Sequence, residues 1–235
     1  MFKRLIVTGF ALSLCFAPGA AFAQDVPVAD AAADVAVETA EVQRALAPIN
    51  YNVQEDPENL LLLDLSSGGR VAIRLMPDWA PAHVERVKTL ARQGFYNGVI
   101  FHRVIDGFMA QTGDPTGTGQ GGSPLPDLAA EFNKKPHLRG TVSMARAQSE
   151  DSANSQFFLV FYPRFSLDGN YTNFGRVISG MEIVDAINRG EPPQNPDRIV
   201  QASIAADNLP LPVARPAITP VQEITADMLT NSQGS

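Results

Sequence analysis

One arginine lies among apolar and amide side chains in residues 101–111, which read Phe-His-Arg-Val-Ile-Asp-Gly-Phe-Met-Ala-Gln. Alternate residues of a β-strand point to the same face, so Arg103 shares a face with Ile105, and Met109 with Gln111. A guanidinium beside apolar walls can donate hydrogen bonds where water is partly excluded. The alternative from this segment alone is a surface arginine lying along the sheet.

A second block, Gln156-Phe157-Phe158, adds another amide and more aromatic surface. Plain core packing would produce the same residue types in a buried strand. If the two blocks meet in space, they predict a shallow apolar pocket that carries one cation and two amides.

The glycine run over residues 117–122 matches the dinucleotide-binding pattern G-x-G-x-x-G. That pattern requires a strand before it and a helix after it. Here Asp114-Pro115 precedes the run, and Ser123-Pro124-Leu125-Pro126 follows it. We therefore interpret the run as a flexible glycine loop and expect no nucleotide cofactor.

Other catalytic and metal-binding patterns are missing from the sequence. The chain has one cysteine, Cys15, which excludes a disulfide scaffold and any cysteine-based metal cluster. His83, His102 and His137 lack the spacing of metal ligands. There is no G-x-S-x-G motif and no phosphate-loop lysine. We expect neither a metal nor a cofactor.

Hydrophobic patterning predicts eight strands around these blocks. Ser66-Ser67-Gly68-Gly69 is a hairpin signal between the first two. The predicted strands are Leu60–Leu65, Arg70–Leu75, Val99–Ile105, Phe108–Gln111, Gly140–Ala145, Gln156–Phe161, Asn173–Ile178 and Ile199–Ala205.

Two helices are predicted beside these strands. The clearer one spans Ala80–Gln93, with a proline in its first turn and Gly94 at its end. The shorter one follows Ser179 and Glu182, whose spacing is that of a capping box. Many strands, two helices and glycine-rich connections indicate an antiparallel barrel rather than a βαβ sheet.

Residues 1–23 are typical of an export signal, with a basic start and an apolar stretch over 5–17. The small residues at 21 and 23 fit a cleavage site that would leave Gln24 as the N-terminus. The alternative, an uncleaved anchor, is disfavoured because the stretch is short for a membrane span. We expect a periplasmic or secreted protein that is not inserted in the membrane after cleavage.

The charge is concentrated in one flank of the chain. The formal net charge is −7, and residues 24–58 carry eight acidic residues and one arginine. We interpret 24–58 as an acidic, alanine-rich linker that is disordered or partly helical, and 209–235 as a proline-containing disordered tail. Residues 59–208 form the folded domain. The acidic balance argues against a nucleic-acid partner.

Four blocks of this sequence resemble the cyclophilins, the cyclosporin-type peptidyl-prolyl cis–trans isomerases. Their order and spacing are family-like, and the resemblance covers roughly residues 59–207. The blocks are Phe95–Pro115, Gly140–Ala145, Ser155–Phe158, and Leu167–Gly169 followed by Phe174–Val177.

The resemblance implies a mainly β fold, a closed eight-stranded antiparallel β-barrel with two helices. It implies a catalytic role for Arg103, Gln111 and Phe108, with Gln111 supporting the arginine and contacting substrate backbone. It assigns substrate binding to Met109, Ala145, Arg146, Gln156, Phe158, Leu167 and Tyr171.

Three positions depart from the best-known cyclophilins. Ser166 stands where they carry tryptophan, Tyr171 where they carry a pocket histidine, and Arg146 where asparagine is usual. We expect weak cyclosporin binding and an altered substrate preference. The expected activity is isomerisation of X–Pro bonds in unfolded exported proteins and other proline-containing polypeptides, by a monomer. The alternative is a module that binds such chains without catalysis.

Overall fold

The computed structural model describes residues 48–212. The predicted signal at 1–23, most of the predicted linker and the tail beyond residue 212 lie outside the described residues. All eight predicted strands are present, with their ends displaced by a few residues. They are β1 (Leu60–Leu65), β2 (Arg70–Leu75), β3 (Arg103–Ile105), β4 (Met109–Thr112), β5 (Thr141–Met144), β6 (Phe157–Val160), β7 (Asn173–Ser179) and β8 (Ile199–Ile204).

The strands form one antiparallel sheet in the order β3-β4-β6-β5-β7-β2-β1-β8. The sheet curls into a half-barrel but is open, so the prediction of a closed barrel is wrong in this respect. Only the last three residues of the predicted strand Val99–Ile105 pair with β4. The residues before β3 meet the start of β8, the other edge strand, through an isolated bridge between Ile100 and Arg198 rather than a continuous ladder, so the two edges are not closed into a barrel.

Helix α1 (Pro81–Arg92) packs its buried face on the sheet. Its N-terminal N–H groups at Ala82 and His83 each donate to the Glu131 carboxylate at 3.1 Å. Its end is a Schellman motif, in which Gly94 adopts φ +68° and donates to Ala91.

Helix α2 (Met181–Asp185) is present, but the predicted capping box is wrong. Ser179 belongs to β7, and the N-cap position is Gly180 with φ +81° and no side-chain cap. A Cβ at Gly180 would lie 2.5 Å from the Arg70 carbonyl oxygen. Close approach to β2 therefore demands glycine where a capping serine would otherwise stand.

Strand β6 separates two apolar clusters because successive side chains point to opposite faces. Phe157 and Leu159 belong to the main core, which lies between the sheet and α1. Phe158 and Val160 belong to a second, smaller cluster on the other face. The alternation that builds the core therefore also leaves an apolar surface for a site.

A buried arginine joins the N-terminal segment to the sheet. Arg74 on β2 donates from Nε to the Asn50 carbonyl and from Nη1 to that of Asp56, at 3.2 and 2.7 Å. Its Nη2 donates to the carbonyls of Asn52 and Glu55, both at 2.8 Å. Residues that the sequence assigned to the linker therefore contact the domain directly.

Within residues 48–212, no helix has the length and apolar character needed to cross a membrane. In the same range no group of three His, Cys, Asp or Glu side chains is arranged to hold a metal ion.

Candidate active site

The hairpin of β3 and β4 sets the two polar side chains of the site opposite each other. Its register pairs Arg103 with Gln111 and Ile105 with Met109. Because directly opposed residues of antiparallel strands point to the same face, all four share one face. The Arg103 side chain is 43% exposed there.

An apolar floor adjoins this arginine. Met109 and Phe158 are buried in it, and Phe108, Ala145, Leu167 and Tyr171 pack against them. The 3₁₀ turn Phe165–Leu167 supplies the leucine. The Phe158 and Tyr171 rings meet edge to face with centroids 5.7 Å apart. These groups form a water-poor wall beside an accessible guanidinium.

Nine of the ten predicted site residues line one pocket of about 790 Å³. The tenth, Gln156, lies behind this lining and is hydrogen-bonded to it. The nine are Arg103, Phe108, Met109, Gln111, Ala145, Arg146, Phe158, Leu167 and Tyr171.

The two amides are linked to each other rather than to the arginine. Gln111 donates to the Gln156 side-chain oxygen at 2.9 Å. Gln156 in turn donates to the carbonyls of Gly119 and Gly121 at 3.1 and 2.8 Å. The expected support of Arg103 by Gln111 is therefore absent: within residues 48–212 there is no hydrogen bond between these two side chains.

Glu191 supports the arginine instead, and sequence reasoning missed it. The Nε of Arg103 donates to Glu191 Oε2 at 2.7 Å. Glu191 and Pro192 also line the pocket, and the peptide bond between them is cis. Eighty-eight positions separate the pair, and no local pattern marks the glutamate.

The glycine loop is hydrogen-bonded around a carboxylate, so the predicted flexible loop is an ordered one. Asp114 is fully buried and accepts bonds from the N–H groups of Thr116, Gly119 and Gly121 at 2.7, 2.6 and 3.1 Å. Burial opposes ionisation, but these bonds and that of the Thr116 hydroxyl outweigh it and lower the pKa of Asp114 to about 2. The loop thereby forms one wall of the pocket.

Arg146 lies at the rim, where its guanidinium is held by the protein. It stacks over the Tyr171 ring, 4.9 Å from the centroid, and donates twice to the Asn170 carbonyl at 3.2 and 3.1 Å. It also donates to the carbonyls of Ala147 and Gln148. This residue shapes the rim more than it offers a free charge to a ligand.

A buried relay of Ser143, His137 and Asp168 has the hydrogen-bond pattern of a hydrolase triad. The Nε2 of His137 lies 2.7 Å from the serine oxygen, and Nδ1 lies 2.8 Å from the aspartate. Ser143 and His137 are completely buried, so no substrate can reach them. Burial lowers the pKa of His137 despite its carboxylate partner. The relay fixes β5 to the loop that follows Leu167.

Residues 61–204 match the family model for cyclophilin type peptidyl-prolyl cis-trans isomerase/CLD. A probable peptidyl-prolyl cis-trans isomerase of Brucella suis is 49% identical over 193 residues, covering 75% of this chain and 94% of the relative. A peptidyl-prolyl cis-trans isomerase B of Bacillus subtilis is 42% identical over 129 residues, covering 54% and 89%.

Solved structures agree with these relatives. The cyclophilin AquaCyp293 from Hirschia baltica has a TM-score of 0.61 at 29% identity, covering 70% of this chain and 84% of its own. A Cryptosporidium parvum cyclophilin type isomerase, solved in the presence of the dipeptide Ala-Pro, has a TM-score of 0.58 at 28% identity, covering 62% and 98%. The chain belongs to the cyclophilin-type peptidyl-prolyl cis–trans isomerases.

Proposed function

We propose that Arg103 drives the isomerisation by donating a hydrogen bond to the proline nitrogen as the X–Pro amide twists. The observation that carries this role is an accessible guanidinium beside an apolar pocket, with Nε held by Glu191. The two terminal nitrogens of Arg103 form no hydrogen bond with any residue in 48–212.

The reaction explains why the site needs no nucleophile and no metal. An X–Pro bond resists rotation because the nitrogen shares its lone pair with the carbonyl, which gives a barrier of about 18–20 kcal/mol. No covalent bond breaks, so the catalyst must bind the twisted amide better than either planar isomer. Twisting localises the lone pair on nitrogen, where it accepts the Arg103 hydrogen bond that the planar amide accepts only weakly.

The other pocket residues orient the substrate. Phe108, Met109, Phe158 and Leu167 hold the proline ring and exclude water, which strengthens the guanidinium's interaction with the nitrogen. Ala145 offers a groove to the residue before proline, and Gln111, held in place by Gln156, offers its amide to the substrate backbone. The Ala-Pro dipeptide of the Cryptosporidium parvum relative is a ligand of this kind.

The test compares the wild type with Arg103→Ala. We expect kcat/KM to fall at least tenfold, which is about 1.4 kcal/mol of transition-state stabilisation. NMR exchange spectroscopy on an Ala-Pro peptide measures the rate directly. Wild-type turnover in Arg103→Ala would contradict the mechanism. Peptide shifts without faster exchange in the wild type would favour the non-catalytic binding module.

The same proposal places the reaction outside the cytoplasm, on proline-containing exported proteins that fold after translocation. Its support is the export signal pattern of residues 1–23. Expression of the full chain in a Gram-negative host should yield a periplasmic product whose mass, measured by mass spectrometry, is that of a chain starting at Gln24. An intact chain in the cytoplasm would contradict export and leave the isomerase assignment untouched.

A further inference from the structure

The backbone delivers Glu191 to the catalytic arginine. Gly190 and Val104 exchange two backbone hydrogen bonds. The Val104 N–H donates to the Gly190 carbonyl at 2.7 Å, and the Gly190 N–H donates to the Val104 carbonyl at 2.9 Å. This register sets the next residue, Glu191, beside the preceding one, Arg103, as antiparallel pairing requires. Gly190 has φ +145°, and a Cβ there would lie 2.5 Å from the Pro193 Cα, so the position demands glycine.

The loop that carries Glu191 is anchored on both sides of it. Before it, Arg189 stacks on Phe161, 4.3 Å from the ring centroid, and donates to Asp106. Across it, the Asn188 N–H donates to the Asp197 carboxylate at 2.9 Å. The Glu191 carboxylate is therefore placed by the fold and not by chance contact of two long side chains.

The ion pair between Arg103 and Glu191 contributes little to the stability of the fold. The side chains of Arg103 and Glu191 are 43% and 52% exposed. Exposed ion pairs contribute little to folding, because water screens the charges and ordering both side chains costs entropy. The contact restricts the orientation of the guanidinium plane, since among residues 48–212 Arg103 forms side-chain hydrogen bonds through Nε alone.

We propose that Glu191 is a positioning residue for Arg103. By accepting the Nε hydrogen bond, it holds the guanidinium plane so that both terminal amino groups stay available to the twisted amide. Preorganised donors cost no reorganisation when the transition state forms. This inference rests on the proposed function of Arg103. The opposite role, a carboxylate that competes with substrate for the guanidinium, predicts the opposite sign.

The kinetic test uses the full chain with Glu191→Ala, Glu191→Gln and the control Glu182→Ala, an exposed glutamate on α2 outside the pocket. We expect Glu191→Ala to lower kcat roughly three- to tenfold with KM within about twofold, as for lost transition-state positioning. Glutamine retains an acceptor oxygen and should recover most of this loss, whereas Glu182→Ala should match the wild type. A rate increase in Glu191→Ala or Glu191→Gln would overturn the proposal, as would an unchanged rate in Glu191→Ala.

A spectroscopic test follows the arginine itself. The Nε–H signal of Arg103 in ¹⁵N-edited NMR should be protected from exchange in the wild type and in Glu191→Gln, and lose protection in Glu191→Ala. In an Arg103→Ala background, Glu191→Ala should have no further effect, because the glutamate acts only through the guanidinium. Independent losses in this double-mutant cycle would overturn the proposal. Full activity of Arg103→Ala alone would instead contradict the proposed function.

Discussion

Two arginines on well-separated strands of the same sheet are used in opposite ways. Arg74 on β2 is 2% exposed and donates four hydrogen bonds to backbone carbonyls. Arg103 on β3 is half-exposed and, within the described part of the chain, its guanidinium donates from Nε alone, to a side chain. A guanidinium has five N–H donors. Arg74 uses its donors within the protein, whereas the terminal nitrogens of Arg103 form no hydrogen bond with any residue in 48–212 and face the pocket.

Removing Arg74 should produce the largest effect on folding. Arg74→Ala leaves four carbonyls without their donor and opens a cavity beneath residues 50–56. Hydrogen bonds to charged groups contribute about 1.5–3 kcal/mol each and are not additive, so we expect about 4 kcal/mol of lost unfolding free energy. Denaturant unfolding measures it. Arg74→Lys, which cannot span four acceptors, should recover only a minor part. A loss below about 1 kcal/mol would show that the clamp is not structural.

The buried carboxylate of Asp114 should contribute less to the unfolding free energy than Arg74 does. Its pKa is about 2 in the folded chain against an ordinary 3.8. A carboxyl whose pKa is lower in the folded than in the unfolded chain stabilises the fold at pH values above its unfolded pKa. That stabilisation is lost as the pH falls through the folded pKa. The difference is about 2 kcal/mol, present at pH 7 and lost between about pH 4 and pH 2.

The measurement is unfolding free energy from pH 7 to pH 2 for the wild type and Asp114→Asn. The two curves should converge toward pH 2, because the variant lacks this one titration. Glu58 and Asp185, whose pKa values are also lowered by their ion pairs, titrate in both proteins and cancel in the difference. A constant separation over this range would contradict the assignment.

Arg103→Ala should show the reverse of Arg74→Ala. We expect its unfolding free energy to stay within about 0.5 kcal/mol of wild type, since the side chain is exposed and its one ion pair is weak. The same variant should lose about 1.4 kcal/mol or more of transition-state stabilisation in the exchange assay. A stability loss comparable to that of Arg74→Ala would remove the distinction between the two arginines.

The parts of the site that sequence could predict are those encoded by local periodicity. Strand alternation predicted that Arg103 shares a face with Ile105 and Met109 with Gln111, and the register of β3 and β4 agrees. The family resemblance supplied the roles. Each of these inferences uses residues within one strand or one hairpin, where spacing dictates direction.

What sequence could not predict depends on contacts between distant or irregular segments. Glu191 reaches Arg103 only because Gly190 bridges to Val104, across a loop with no periodic pattern. The glycine loop looked flexible because nothing local shows that Asp114 is buried. The barrel looked closed because residues 99–105 have strand-like composition, although only Arg103–Ile105 form a strand and the residues before it meet the start of β8 through an isolated bridge rather than a ladder.

Tyr171 tests how far the comparison extends, and here we expect the smallest effect. Its hydroxyl, like the terminal nitrogens of Arg103, forms no hydrogen bond with any residue in 48–212, and its ring lines the pocket. An unpartnered donor contributes to catalysis only if the reaction develops an acceptor for it. Rotation about the X–Pro bond transfers no proton, and the nitrogen lone pair is already assigned to Arg103.

Tyr171→Phe should therefore keep kcat/KM within about twofold of wild type, or about 0.4 kcal/mol. Tyr171→Ala, which removes the ring that packs on Phe158 and Arg146, should raise KM. A tenfold loss in Tyr171→Phe would assign the hydroxyl a part in the reaction and show that the arginine does not act alone.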